Sequence, residues 1–245
     1  MSRYQLPPIR QTPGYSHAVI GNMGTGKSNE MHRLAGAPNR RKEGVLFFFP
    51  GVAERDKKVV PASRINSMYP GTIIVTNPDE MATQIAHSTA LNVFADEQHF
   101  WEQNPEHVAA FIELVDAVVW SGRRFYWSAL TKDFRGDPWQ MVMRLVIDAD
   151  RVTKFDTTCA VCGEAPADIP QRLSFGQPVP RNHPRFLTDS VEANALGLTY
   201  EARCRGCHQC PDDWNDMSKA IQAQIDAARQ QGRDEALGRS APESA

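Results

Sequence analysis

Gly21-Asn22-Met23-Gly24-Thr25-Gly26-Lys27-Ser28 matches the pattern G-x-x-x-x-G-K-[ST] at every fixed position, and its surroundings decide the fold. Ahead of it stands the short apolar run His17-Ala18-Val19-Ile20, which suits a buried strand. Behind it, from Gly26 to about Ala35, the pattern is helical, and Gly36-Ala37-Pro38-Asn39 is expected to stop it. A strand feeding a glycine-rich turn that opens a helix is the context in which this motif holds phosphate. Glycines let the backbone wrap close to anionic oxygens, so that successive N–H groups point at the ligand. The helix N-terminus adds its partial positive charge. Lys27 is expected to reach the β- and γ-phosphates of ATP, and the Ser28 hydroxyl to ligate Mg²⁺.

Further along, short apolar runs alternate with helical periods. Val45 to Phe49, Thr72 to Thr76, Leu91 to Ala95 and Phe125 to Leu130 read as strands. Pro78 opens a short helix to about His87. Val108, Phe111, Ile112, Val115 and Val119 recur at the three- or four-residue spacing of a helix from Pro105 to about Ser121. Pro138 to about Ile147 is a further amphipathic stretch. Strands alternating with helices predict an α/β fold with a parallel sheet. The segment between Pro50 and Pro70, with its charges around Glu54 to Lys58, reads as loop.

Asp96 and Glu97 stand at the carboxyl end of one predicted strand, the end at which open α/β sheets bind their ligands. A phosphoryl-transfer site needs a carboxylate near its metal ion and, where a hydroxyl is the acceptor, a base for that proton. Asp96 suits the metal and Glu97 the base.

Composition excludes several classes. Lys and Arg number 27 against 29 Asp and Glu, so no whole-chain basic excess points to nucleic acid as a partner. No apolar run approaches the roughly 18 residues that span a bilayer, and residues 1–14 lack the apolar stretch of a signal peptide. A cytoplasmic protein is expected. The five cysteines all lie at or beyond Cys159, in Cys-x-x-Cys spacing, which fits a metal site better than a disulfide framework. Cys159, Cys162, Cys204 and Cys207 make a Cys₄ set suited to a structural Zn²⁺, with His208 and Cys210 as alternative members. Trp214, Met217, Ile221, Ile225 and Ala228 stand at helical spacing in the tail.

Taken together these residues resemble the type II thymidine kinases. The loop at 21–28 is similar to that family's G-P-M-F-S-G-K-S, including Met23, and Asp96-Glu97-Gln98-His99-Phe100 to its D-E-x-Q-F. Ser128 to Phe134 resembles the strand and loop that carry Leu and Phe against the thymine ring. Val152-Thr153-Lys154-Phe155 followed by Cys159 resembles the entry to its zinc domain. Gln171-Arg172-Leu173 resembles its lasso motif, and Tyr200 the tyrosine before its second metal pair.

The resemblance implies an ATP-dependent kinase phosphorylating the 5′-hydroxyl of thymidine or deoxyuridine. Its fold would be a RecA-like P-loop sheet over about 15–150, then a small zinc-ribbon or lasso domain over 151–210. Composition, independently of the resemblance, reads residues 1–14 as a flexible arm and 211–245 as a helix and disordered tail. The resemblance implies Glu97 as the base, with Lys27, and Arg55 neutralising charge on the transferred phosphoryl. Gly21 to Ser28 and Asp96 would hold ATP and Mg²⁺, and Met23, Phe100, Leu130, Phe134 and Tyr200 would surround the nucleoside base. A homotetramer is the family's assembly. The sequence departs from the pattern at His99, where the family has glutamine, at Gly24-Thr25, and at Ile169-Pro170 and the proline-rich stretch through Pro178, Pro180 and Pro184. A competing expectation is a nucleic-acid-associated ATPase motor or packaging module, in which Glu97 activates water.

Overall fold

A computed structural model describes residues 3–51, 69–186 and 196–212. Arg55 and the stripe from Trp214 to Ala228 lie outside them. Six strands form one parallel sheet: β1 (Tyr15–Gly21), β2 (Val45–Pro50), β3 (Ile73–Val75), β4 (Asn92–Ala95), β5 (Arg124–Ala129) and β6 (Arg151–Phe155), in the order β3-β2-β4-β5-β1-β6. The connecting helices are α1 (Lys27–Arg40), α2 (Pro78–Ala86), α3 (Pro105–Trp120) and α4 (Gln140–Asp148).

Strand alternation sorts the apolar residues onto two faces. Val19, Phe47, Phe94 and Tyr126 share one face with Met31 and Ala35 of α1. Three of those rings stack in sequence, Phe47 on Phe94 at 5.7 Å and Phe94 on Tyr126 at 4.4 Å. Ala18, Ile20, Phe48, Val93, Phe125 and Trp127 face the other way, against Met81 and Ile85 of α2, Phe111 and Leu114 of α3, and Met141 and Leu145 of α4. The central strands are covered on both sides, which is why they read as unbroken apolar runs.

Several boundaries differ from expectation. The first helix continues through Pro38 to Arg40, and Lys42, at φ 58°, makes the left-handed turn that ends it, with Glu43 N–H bonded to the Pro38 carbonyl at 3.1 Å. A proline at this position gives up the hydrogen bond to the Leu34 carbonyl and crowds that preceding turn, and the helix ends two residues later. The parallel sheet also runs past Asp150: β6 pairs with β1 from His17↔Arg151 to Gly21↔Phe155. As an edge strand it is mostly exposed, so it carries no apolar run to announce itself. Between the cysteine pairs, where little periodicity predicts loop, β7 (Ile169–Ser174), β8 (Gln177–Pro178) and β9 (Leu198–Arg203) form a three-stranded antiparallel sheet. Its central strand is buried throughout although it includes Gln171 and Arg172, which hides it from a hydrophobic reading.

Residues 3–14, which composition reads as a flexible arm, have no helix or strand but are tied down. Tyr4 and Leu6 pack on the core, Ile9 N–H meets the Ser121 carbonyl at 2.9 Å, and buried Arg123 holds the Pro7 carbonyl at 2.9 Å. No helix among the described residues is long and apolar enough to cross a membrane.

Candidate active site and metal centre

The carboxyl ends of β1, β4 and β5 lie side by side, because β5 pairs with both of the others. The glycine-rich turn leaves β1 there. Gly21 has φ 155°, and a Cβ on it would stand 2.7 Å from the Phe155 carbonyl oxygen. Gly26, at φ 92°, is the left-handed residue from which α1 starts, and a Cβ there would meet nothing within 4 Å. The turn is therefore kept open by backbone conformation, as an anion cradle requires. Lys27 is buried, and its ammonium donates to the Asn22 carbonyl at 2.7 Å. The Thr25 hydroxyl donates to the same carbonyl at 2.8 Å. The Asn22 amide fastens the turn to the Ala167 carbonyl at 2.9 Å, just ahead of β7. Ser28, half-buried, opens the next turn of α1. Glycine backbone, lysine and hydroxyl thus fit a triphosphate with its divalent cation.

At the end of β4, Asp96 and Glu97 are both buried. The Ser128 hydroxyl, from the end of β5, donates to Asp96 Oδ1. Glu97 N–H lies 3.0 Å from that same oxygen and 3.3 Å from Ser128 Oγ. Glu97 sits at φ 61°, ψ 39°, a left-handed conformation that costs an L residue of this kind on the order of 1–2 kcal/mol. This kink turns the chain from the strand into the short 3₁₀ turn Gln98–Gln103. Gln98, fully buried, holds the bend by donating to the Asp96 carbonyl at 2.6 Å and accepting from Trp101 Nε1 at 2.6 Å. His99 Nδ1 lies 3.6 Å from Glu97 Oε2 and accepts from Leu130 N–H at 3.4 Å.

Among the residues expected around the base, Leu130 and Phe100 both meet His99, and Phe134 and Tyr200 both meet Arg172. Leu130 joins the carboxylates through His99, and Met23 is half-buried in the glycine-rich turn. Phe100 packs with Phe49 and Ile74. Phe134 is 2% exposed, with the Arg172 guanidinium 4.1 Å from its centroid and His183 edge-on at 6.1 Å. Tyr200 is 44% exposed and touches the same guanidinium at 5.3 Å, so Arg172 stands between the two rings. Burial holds Arg172 below the usual arginine range.

Sequence reasoning passed over Ser128, Trp139 and Arg185. Ser128 is a hydroxyl interrupting an aromatic strand at its ligand-facing end, which is a usable signal. Trp139 is buried 5.3 Å from His99, under the Arg185 guanidinium at 3.8 Å. Arg185 also bonds Asp133 at 2.8 Å and so pins its segment across the mouth of the Phe134 loop. That long-range pairing has no local trace.

The sulfurs of Cys159, Cys162, Cys204 and Cys207 all lie within 4.8 Å of one another. Cys162 Sγ and Cys204 Sγ are 3.8 Å apart, the edge of a tetrahedron built on Zn–S bonds of about 2.3 Å. The backbone N–H groups of Cys162 and Cys204 pull the Cys159 thiol down to about 6, towards a ready thiolate. Donating its S–H to the neighbouring sulfurs of Cys162 and Cys204 pushes Cys207 up to about 12. Four such sulfurs suit a dication and leave it no open position. The two alternatives are engaged elsewhere: His208 Nε2 bonds the Phe134 carbonyl at 2.8 Å, and Cys210 packs with Phe134, Val179 and Leu198.

Compared with known families, residues 14–208 match a family model described as thymidine kinase. The match runs from the start of the sheet through the second cysteine pair.

Proposed function

The chain belongs to the thymidine kinase family, and from that premise we propose how its own residues transfer a phosphoryl group from ATP to the 5′-hydroxyl of thymidine or deoxyuridine. The observation that supports this most is the meeting of two devices at one sheet edge. The open Gly21–Ser28 turn and the buried Asp96–Glu97 pair end strands that flank β5. The turn's N–H groups cradle the phosphates, and Lys27 leaves the Asn22 carbonyl to neutralise charge on the oxygen that departs. Ser28 and Asp96 would hold Mg²⁺, which supplies charge neutralisation between the phosphates. Glu97, turned inward by its left-handed backbone, takes the proton from the nucleoside hydroxyl. Ser128 keeps the Asp96 carboxylate oriented while His99 lies beside Glu97.

Met23, Leu130, Phe100, Phe134 and Tyr200 are read as the nucleoside's surroundings, with Arg55 as a further charge on the phosphoryl side. The cysteine cluster would hold Zn²⁺ as a structural ion that ties together the two ends of the 163–203 segment. Assembly as a homotetramer and action in the cytoplasm, supplying DNA precursors, complete the reading on the strength of the family resemblance. A motor or packaging role for the same turn has no observation in its favour.

The test is incubation with ATP and Mg²⁺ and a panel of thymidine, deoxyuridine, deoxycytidine and deoxyadenosine. Thymidine monophosphate is the expected main product. ATP consumed with no nucleoside phosphorylated would overturn the reading.

A further inference from the structure

We infer that His208 is a positioning residue for nucleoside binding, carrying the rigidity of the cysteine cluster to the loop that holds Phe134. His208 follows Cys207 directly, and its own N–H closes the Cys204 turn onto the Cys204 carbonyl at 2.9 Å. Its ring then reaches out of the cluster to the Phe134 carbonyl, 2.8 Å from Nε2. A carbonyl only accepts, so Nε2 carries the proton and donates it.

The loop it grips is internally tied. Asp133 Oδ1 accepts from the N–H groups of Arg135 at 2.9 Å and Asp137 at 3.0 Å. Asp133 and Asp137 also bond backbone to backbone at 2.9 Å. Such a loop moves as a unit, so fixing one carbonyl fixes the Phe134 ring. The fit is close as well: a Cβ on Gly136 would stand 3.9 Å from His208 Cε1.

The next residue grips the other side. Gln209 N–H donates to Gln171 Oε1 at 2.9 Å, and Gln171 Nε2 returns a bond to the Gln209 carbonyl at 2.8 Å. Gln171 is fully buried in β7, and its neighbour Arg172 lies between Phe134 and Tyr200. Two consecutive residues after Cys207 therefore bolt one loop and one strand to the metal-binding turn. The Gly21–Ser28 turn is fastened instead through Asn22 to the Ala167 carbonyl, ahead of the stretch of β7 that Gln209 grips. The consequence is selective: loosening His208 disturbs the nucleoside side and spares ATP. This rests on reading Phe134 and Tyr200 as part of the nucleoside's surroundings.

The experiment compares full-length His208→Ala with His208→Gln, whose amide can still donate. It measures zinc per chain, hydrogen exchange at the amides of residues 131–137, and KM separately for thymidine and ATP. For His208→Ala, faster exchange in the loop and a thymidine KM raised about tenfold are expected, the equivalent of one lost hydrogen bond. ATP KM, kcat and zinc content stay at wild-type values, and His208→Gln restores the loop and the thymidine KM. Should the alanine variant not fold, His208→Phe keeps a ring, loses the donor and carries the same comparison. Unchanged exchange in the loop, both KM values rising together, or zinc lost from the variant would each overturn the inference. A loosened loop with an unmoved thymidine KM would overturn it differently, by removing Phe134 from the nucleoside's surroundings.

Discussion

Glu97 Oε2 lies 3.6 Å from Nδ1 of His99, with both side chains almost wholly buried. The same nitrogen accepts from Leu130 N–H, so His99 joins the ends of β4 and β5 at the point where the base is proposed. An acceptor at this position keeps the Leu130 amide paired, and a buried unpaired amide costs about 1–3 kcal/mol. His99→Gln, whose amide oxygen can take that bond, is expected to stay within about threefold of wild type in kcat/KM. His99→Leu is expected to lose about tenfold or more. Steady-state kinetics on the two variants checks this, and equal losses would take the acceptor role away from His99.

Ser128 holds Asp96 from the neighbouring strand. Ser128→Ala leaves a buried carboxylate oxygen with one donor fewer, which is expected to lower stability by about 1–3 kcal/mol. Turnover should fall with it, because Asp96 then loses the orientation proposed for metal support. Urea denaturation alongside kcat measurement reads both effects. Loss of stability with full turnover would confine Ser128 to the fold.

The backbone of Glu97 is strained at φ 61°. Glycine adopts this conformation freely, so Glu97→Gly is expected to unfold about 1 kcal/mol less readily than wild type while losing activity. A destabilised variant would mean that the carboxylate holds the fold as well as serving the reaction.

Much of this architecture was legible in the sequence. The apolar runs at 17–20, 45–49 and 91–95 became central strands because strands covered on both faces must be apolar throughout. Asn77 and Asn104 cap helices that start at Pro78 and Pro105, as proline at a first helical position signals. The cysteine spacing marked the cluster. What stayed hidden was built from polar or distant partners. β6 is an exposed edge strand, and β7 buries Gln171 and Arg172 by pairing them with residues far along the chain. The anchoring of residues 3–14 depends on Arg123 and Ser121, more than a hundred residues away, and nothing local could announce it.

Burial holds His17, His32, His107 and His183 below the ordinary imidazole value of 6.5, with Arg151 adding to it at His17 and Arg172 at His183. These rings stay neutral in the fold to a lower pH than in the unfolded chain, which takes up protons below 6.5. Their contribution is present above that pH and lost as pH falls through it towards the lower folded values. Glu30, held below 4.5 by Arg33, is lost only at more acid pH. The urea midpoint is therefore expected to fall between about pH 7 and 5.5, ahead of carboxylate titration. A midpoint that is flat or rises over this range would contradict the placement of those rings.

The most direct measurement of the central claim is turnover of Glu97→Gln with thymidine, ATP and Mg²⁺, alongside ATP binding to the same variant. Glutamine keeps the size and loses the base, so ATP affinity is expected to hold while kcat falls by about a hundredfold or more. Turnover near the wild-type value, with ATP bound as before, would contradict the assignment of Glu97 as the group that takes the proton.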